Sequence, residues 1–125
     1  MSDFYIPNMD DLISLHNKAR NGRELVKDDK LMRYASDWVR YMADRRTLKH
    51  SKMSNIMKLG FSRVGENIAY GQKNEESVMN TWLHSSGHRA NIMSASFNRI
   101  GCDFAYSSNN TIYWCVCFGY ESAAS

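Results

Sequence analysis

Apolar residues recur at helical spacing over residues 31–42. Leu31, Tyr34, Ala35, Trp38, Val39 and Met42 fall at i, i+3, i+4, i+7, i+8 and i+11, directly after Asp28 and Asp29. That pattern predicts an amphipathic helix with an acidic cap. An earlier stripe of Met9, Leu12, Ile13, Leu15, His16 and Ala19 is opened by Asn8 or Asp10. Gly22 stands where a left-handed residue would end it. A short helix is predicted over "SNIMKL" (54–59), stopped by Gly60. Asn74 opens "EESVMNTWLHSS", with two acids in the first turn, where the helix dipole favours them, and Val78, Met79, Trp82 and Leu83 as the buried side. Gly87 is expected to interrupt that helix, with "HRANIM" beginning another turn. Beyond Phe97 the period falls to two, and "RIGCDFAY" and "TIYWCVCFGY" predict an antiparallel pair turning at "SSNN" (107–110). A lone hairpin is rarely stable, so a third strand is expected. "RVGENIAYG" (63–71) is the best candidate, which sets Glu66 at or beside the sheet. Helices first and strands last predict an α+β domain, with helices covering a small antiparallel sheet. Trp38, Trp82 and Trp114 are assigned to its core, and the tail "ESAAS" is expected to fray.

Composition adds limits. A chain of 125 residues suits one domain. Its 43% hydrophobic and 23% charged residues argue against global disorder. No apolar run approaches the roughly 18 residues that a membrane-spanning helix needs. "MSDFYIPNMDD" has neither a basic start nor an apolar core, so no secretory leader is expected in the sequence as written. On that reading the chain acts where it is made, or a leader has been removed. The net charge of +3 is scattered, and the densest basic stretch, "ADRRTLKHSK", carries an acid and ends a predicted helix. No nucleic-acid partner is expected from that pattern. Cys102, Cys115 and Cys117 form neither a disulfide framework nor a zinc ribbon. On one strand, Cys115 and Cys117 face the same way about 7 Å apart, too far for an easy bridge. A four-residue turn at "SSNN" would set Cys102 opposite Cys115 and allow a cross-strand disulfide. The alternative is three free, buried thiols.

His50, Glu66, Asn67, His84 and His88 are the polar residues best suited to chemistry, with His16 as an outlier. Imidazole and carboxylate together can ligate zinc or exchange a proton. His84 and His88 form H-x-x-x-H, but Ser85-Ser86-Gly87 undermines the continuous helix that pattern needs, and no metalloprotease "HE" is present. For any single histidine the plain alternative is a buried ring bonded to backbone. Ser51, Ser85 and Ser86 lack a G-x-S-x-G elbow. The cysteines lie in the predicted hairpin and not at a helix N-terminus. The glycines are isolated, so no phosphate-binding loop is expected.

Taken in order, "LHNKAR" (15–20), "LKHS" (48–51), "VGENIAYG" (64–71), "VMNTWLHSSGHRANI" (78–92), "FNRIGCDFAY" (97–106) and "IYWCVCFG" (112–119) resemble the CAP superfamily. That superfamily takes in cysteine-rich secretory proteins, antigen 5 and plant pathogenesis-related proteins. The chain is most similar to the compact microbial, SCP-like branch, with its "W-x-x-S-x-G-H-R-x-N-I" segment. The resemblance covers about residues 10–120 and makes 1–125 a single domain. It implies a three-layer α-β-α sandwich with a small central antiparallel sheet and a shallow cleft. In many members two histidines and two glutamates converge there and can hold a divalent metal such as zinc. Carried over, the motifs supply His50, Glu66 and His88 as metal ligands. Ser85 stands where the second glutamate is usual. Two imidazoles and one carboxylate would leave a zinc position open to water. Glu66 could equally act through a water or orient a ligand. His84 is turned away by the helical rotation of about 100° per residue, and Glu75 and Glu76 lie too far back to replace the missing acid. Asn67 and Asn91 are expected to pin loops, Arg89 to pair with a surface acid, and His16 to hold the first helix.

Three functions follow as expectations. The first is a CAP-domain binding protein whose cleft takes a divalent cation, a small ligand or a lipid. The second is a metal-assisted hydrolase or peptidase, with Glu66 and His88 as candidate catalytic residues. The third is a structural component, with a protein partner, in a virus particle or cell envelope. The resemblance points to an extracellular or envelope location, and the missing leader to a cytoplasmic or virion-associated one. Whether the protein is an enzyme stays open at this level.

Overall fold

In the computed structural model, which describes residues 5–122, Asn8 caps the first helix, α1 (Met9–Arg20), by accepting from the Asp11 amide at 3.0 Å. The helix ends at Asn21, in the left-handed region at φ 54°, and Gly22 follows at φ 93°. Strand β1 (Val26–Lys27) comes next, unforeseen because two exposed residues carry no periodicity. Asp28 caps α2 (Asp29–Arg45) through the amides of Lys30 and Leu31. After α3 (Met53–Met57) come β2 (Val64–Tyr70), α4 (Glu75–Leu83), α5 (Ser86–Met93), β3 (Arg99–Tyr106) and β4 (Ile112–Gly119). The break between α4 and α5 falls at His84 and Ser85. Gly87 lies inside the first turn of α5, not at the interruption expected of it.

The sheet runs β1-β3-β4-β2. The β3–β4 and β4–β2 pairs are antiparallel, and β1 joins β3 in parallel. β4 is buried throughout, which is why "IYWCVCFG" reads as a continuous apolar run. Alternation divides it. Trp114, Val116 and Phe118 pack with Leu12, Trp82, Ile92 and Ile100 on the α1–α4–α5 side. Tyr113, Cys115 and Cys117 pack with Leu31, Ala35, Val39, Met42 and Ile56 on the α2–α3 side. The result is an α-β-α sandwich. Gly101 lets α2 lie close on the sheet, since a Cβ there would stand 2.1 Å from the Leu31 carbonyl carbon. Trp82 and Trp114 are core residues as expected. Trp38 is only half-buried, stacked on Tyr41 with ring centroids 4.7 Å apart.

The hairpin differs from expectation in parity. Asn110 donates to Ser107 O at 2.9 Å and then adopts φ 66°, and Ser107 pairs with Thr111 through its amide at 2.8 Å. The loop is therefore three residues, a type I turn plus one left-handed residue. One residue of register shifts every side chain to the opposite face. Cys102 faces Val116, and Asp103 faces Cys115. This corrects the Cys102–Cys115 disulfide: the two lie in different cores, and all three thiols are free. Within the expected fraying tail, Glu121 is pinned by both its backbone groups to the Asn98 amide. Residues 123–125 of that tail, like residues 1–4, lie outside the described residues.

Candidate functional site

The loop after α2 is hung from that helix by two ring donors. The Trp38 indole donates to Lys49 O at 2.8 Å, and the Tyr34 hydroxyl donates to Ser51 Oγ at 2.7 Å. Between these anchors His50 reaches β2. Its Nδ1 donates to Glu66 Oε1 at 2.8 Å. Glu66 also accepts from Ser51 N at 2.9 Å on Oε1 and from Ser51 Oγ at 2.6 Å on Oε2. The carboxylate is fully buried, whereas the His50 side chain is 58% exposed. A buried carboxylate with three donors is well satisfied, and it in turn fixes the Nδ1 edge of His50. With Nδ1 occupied, the lone pair of a neutral His50 ring lies on Nε2.

His88 comes from α5, which is tied to β2 by two amides. Asn67 donates to His88 O at 3.0 Å, and Asn91 donates to Asn67 Oδ1 at 2.9 Å and to Glu66 O at 3.3 Å. These are the pinning roles expected of both asparagines. Ser85, where the resemblance calls for an acid, lies with its Oγ 3.0 Å from His88 Nδ1, sharing a hydrogen bond. A hydroxyl brings no charge to favour imidazolium. Burial, and then the neighbouring His50, hold His88 below the usual imidazole range. His88 thus keeps a neutral ring whose second nitrogen is left for another partner.

Other candidates fall outside this cluster. His84 is exposed and its Nδ1 donates to Asn80 O at 2.8 Å, closing the last turn of α4. His16 is fully buried, its Nδ1 donating to Leu12 O at 2.8 Å and its ring between Trp82 and Phe118. It is structural, as expected. Arg89 is exposed and belongs to none of the ion pairs seen among the described residues. Glu75 is buried against the Tyr5 hydroxyl and the Asn8 amide, remote in sequence and role from the imidazoles. Ser51 and Tyr34 are the site residues that the sequence reading missed. Ser51 drew attention only as a nucleophile, and Tyr34 passed as one member of an apolar stripe.

The cysteine-rich secretory protein (CAP) family model matches residues 13–118. Among solved structures, an outer surface protein from Borrelia burgdorferi is similar with a TM-score of 0.77 at 24% identity, over 90% of this chain and 89% of that one. An extracellular SCP-domain protein from Bacillus anthracis gives 0.78 at 21% identity, over 90% of this chain and 40% of that one. Venom allergen-like protein 4 from Schistosoma mansoni gives 0.70 at 15% identity, over 90% and 88%. No curated protein matches the sequence. With a family model spanning nearly the whole domain, and the sandwich shared with these structures, the chain belongs to the CAP, or cysteine-rich secretory protein, family.

Proposed function

We propose that this chain is a binding protein whose cleft takes a divalent cation, or a small polar group in its place, through His50 and His88. The observation that carries this reading is the 2.8 Å contact from His50 Nδ1 to a carboxylate that Ser51 holds from two sides. A carboxylate behind an imidazole fixes its tautomer and raises its basicity, as in zinc sites of many folds. The donor types suit zinc: two imidazoles, with Glu66 behind one and Ser85 behind the other. Glu66 then positions His50 and does not itself ligate the cation held by the two imidazoles. A cation held by two side chains would keep several positions open to water or to a ligand oxygen. Fold membership alone assigns no ligand. An extracellular or envelope setting, typical of the family, is part of this reading.

Zinc titration by calorimetry tests it. Micromolar or tighter binding at a site of the native chain, with that one site lost in His50→Ala and in His88→Ala, is the expected result. Equal binding by the native chain and a His50→Ala/His88→Ala double variant would refute it.

A hydrolytic reading draws on the same pair, because an exposed imidazole backed by a buried carboxylate can accept a proton from water. In that reading His50 is the base, since Glu66 is enclosed by its three donors. Its signature would be a turnover that disappears in His50→Gln while the fold persists.

A further inference from the structure

Beside the imidazole pair lie two thiols that the histidine site does not use, together with Glu66, which it does. Glu66 stands opposite Cys117 in the β2–β4 ladder, and Cys115 is two residues before Cys117, so all three project from the sheet face under α2. They are the one set of three histidine, cysteine or acidic residues among the described residues whose ligand atoms all lie within 4.8 Å of one another. All three are buried.

The geometry is specific. Side chains at i and i+2 on a regular strand are spaced about 6.7 Å apart along the chain. Here the two sulfurs lean together to 3.8 Å. Two thiolates bound at about 2.3 Å to one tetrahedral ion stand about 3.8 Å from each other. The third ligand has capacity to spare. Glu66 Oε1 takes two donors, but Oε2 accepts from Ser51 Oγ alone among the described residues, leaving one lone pair. A chain of hydrogen bonds also reaches the cluster, from the half-buried Tyr34 hydroxyl through Ser51 to Glu66.

We propose that Cys115, Cys117 and Glu66 form a site for a thiophilic divalent cation of the zinc and cadmium class, sharing Glu66 with the His50–His88 site but using its other oxygen, Oε2. Binding breaks two S–H bonds and forms two metal–sulfur bonds. The two protons leave to the buffer, and no electron is transferred. Soft thiolate ligands favour such ions over calcium or magnesium.

Cadmium added to the full-length, reduced chain is the probe. The readouts are ultraviolet thiolate-to-cadmium charge-transfer absorption, proton release and the thermal midpoint. The native chain should saturate the band at one ion per chain, release one proton per thiol, and melt at a higher temperature. The band should persist in Cys102→Ser and in His50→Ala/His88→Ala. In Cys115→Ser/Cys117→Ser the band should disappear. Cys115→Val/Cys117→Ala, checked for a native circular dichroism spectrum, separates lost ligation from lost folding. A folded native chain without the band overturns the proposal, as does a band that survives either double cysteine variant. Either failure leaves zinc binding by the histidines untouched, and loss of the histidine site leaves this one standing.

Discussion

Glu66 is the residue on which the proposed site turns. It receives His50 and Ser51 at one end of β2 and is sealed from solvent. Replacing it with glutamine keeps the shape but removes the charge that orders His50. Glu66→Gln is therefore expected to weaken zinc binding by about 10–100-fold, the usual cost of losing a partner behind a ligand, as read by calorimetry. Ser51→Ala should produce a smaller loss of the same kind, because Glu66 keeps the amide and the His50 contact. At this scale the sequence was informative about identity and mute about role. "LKHS" and "VGEN" brought His50 and Glu66 forward through their resemblance to a family. The Ser51 hydroxyl and the Tyr34 ring could not be assigned, because their partners are 15 and 17 residues away in the chain. Contacts of that length leave no periodic trace.

Among the elements, the connections explain most of what the hydrophobic pattern did not foretell. α2 was legible because its apolar stripe and Asp28 cap are both local. β1 was not, since its place is fixed by backbone pairing to β3. The hairpin register depended on the parity of one loop, set by the left-handed Asn110. Asn110→Ala should cost about 1 kcal/mol, and Asn110→Gly should be close to neutral, as read by urea unfolding. Arg20 does comparable work at a larger scale. Nearly buried, it donates to Arg23 O, Ile92 O, Ser94 O and Phe97 O at 2.6–3.1 Å, fastening the end of α1 to the segment between α5 and β3. Arg20→Met would leave those carbonyls without a donor. A loss of about 3 kcal/mol or more is expected in the same measurement.

Across the whole molecule, the pH dependence of stability should carry the mark of His16. Burial pushes this ring down to about 4 from its ordinary 6.5, with no partner on Nε2 among the described residues. The unfolded chain therefore binds a proton in a range where the native one does not. Stability from this source is complete above about pH 6.5, falls as the pH drops through the window, and levels off near pH 4. The total loss is about 3 kcal/mol. His16→Leu should flatten that part of the profile, as followed by denaturant unfolding at a series of pH values. A native profile no steeper than that of the variant would contradict this account.

Asn91 and the core indole of Trp82 have one more consequence. β2 is the last strand of the sheet, and an outer strand offers free carbonyls to any passing chain. Here the Glu66 carbonyl accepts from Asn91, and the Ile68 carbonyl from the Trp82 indole at 3.1 Å. The side chains that set α4 and α5 in place thus also close this border against another copy of the protein. Asn91→Ala should make the chain associate with itself as its concentration rises, an effect that light scattering would detect before any change in the melting temperature.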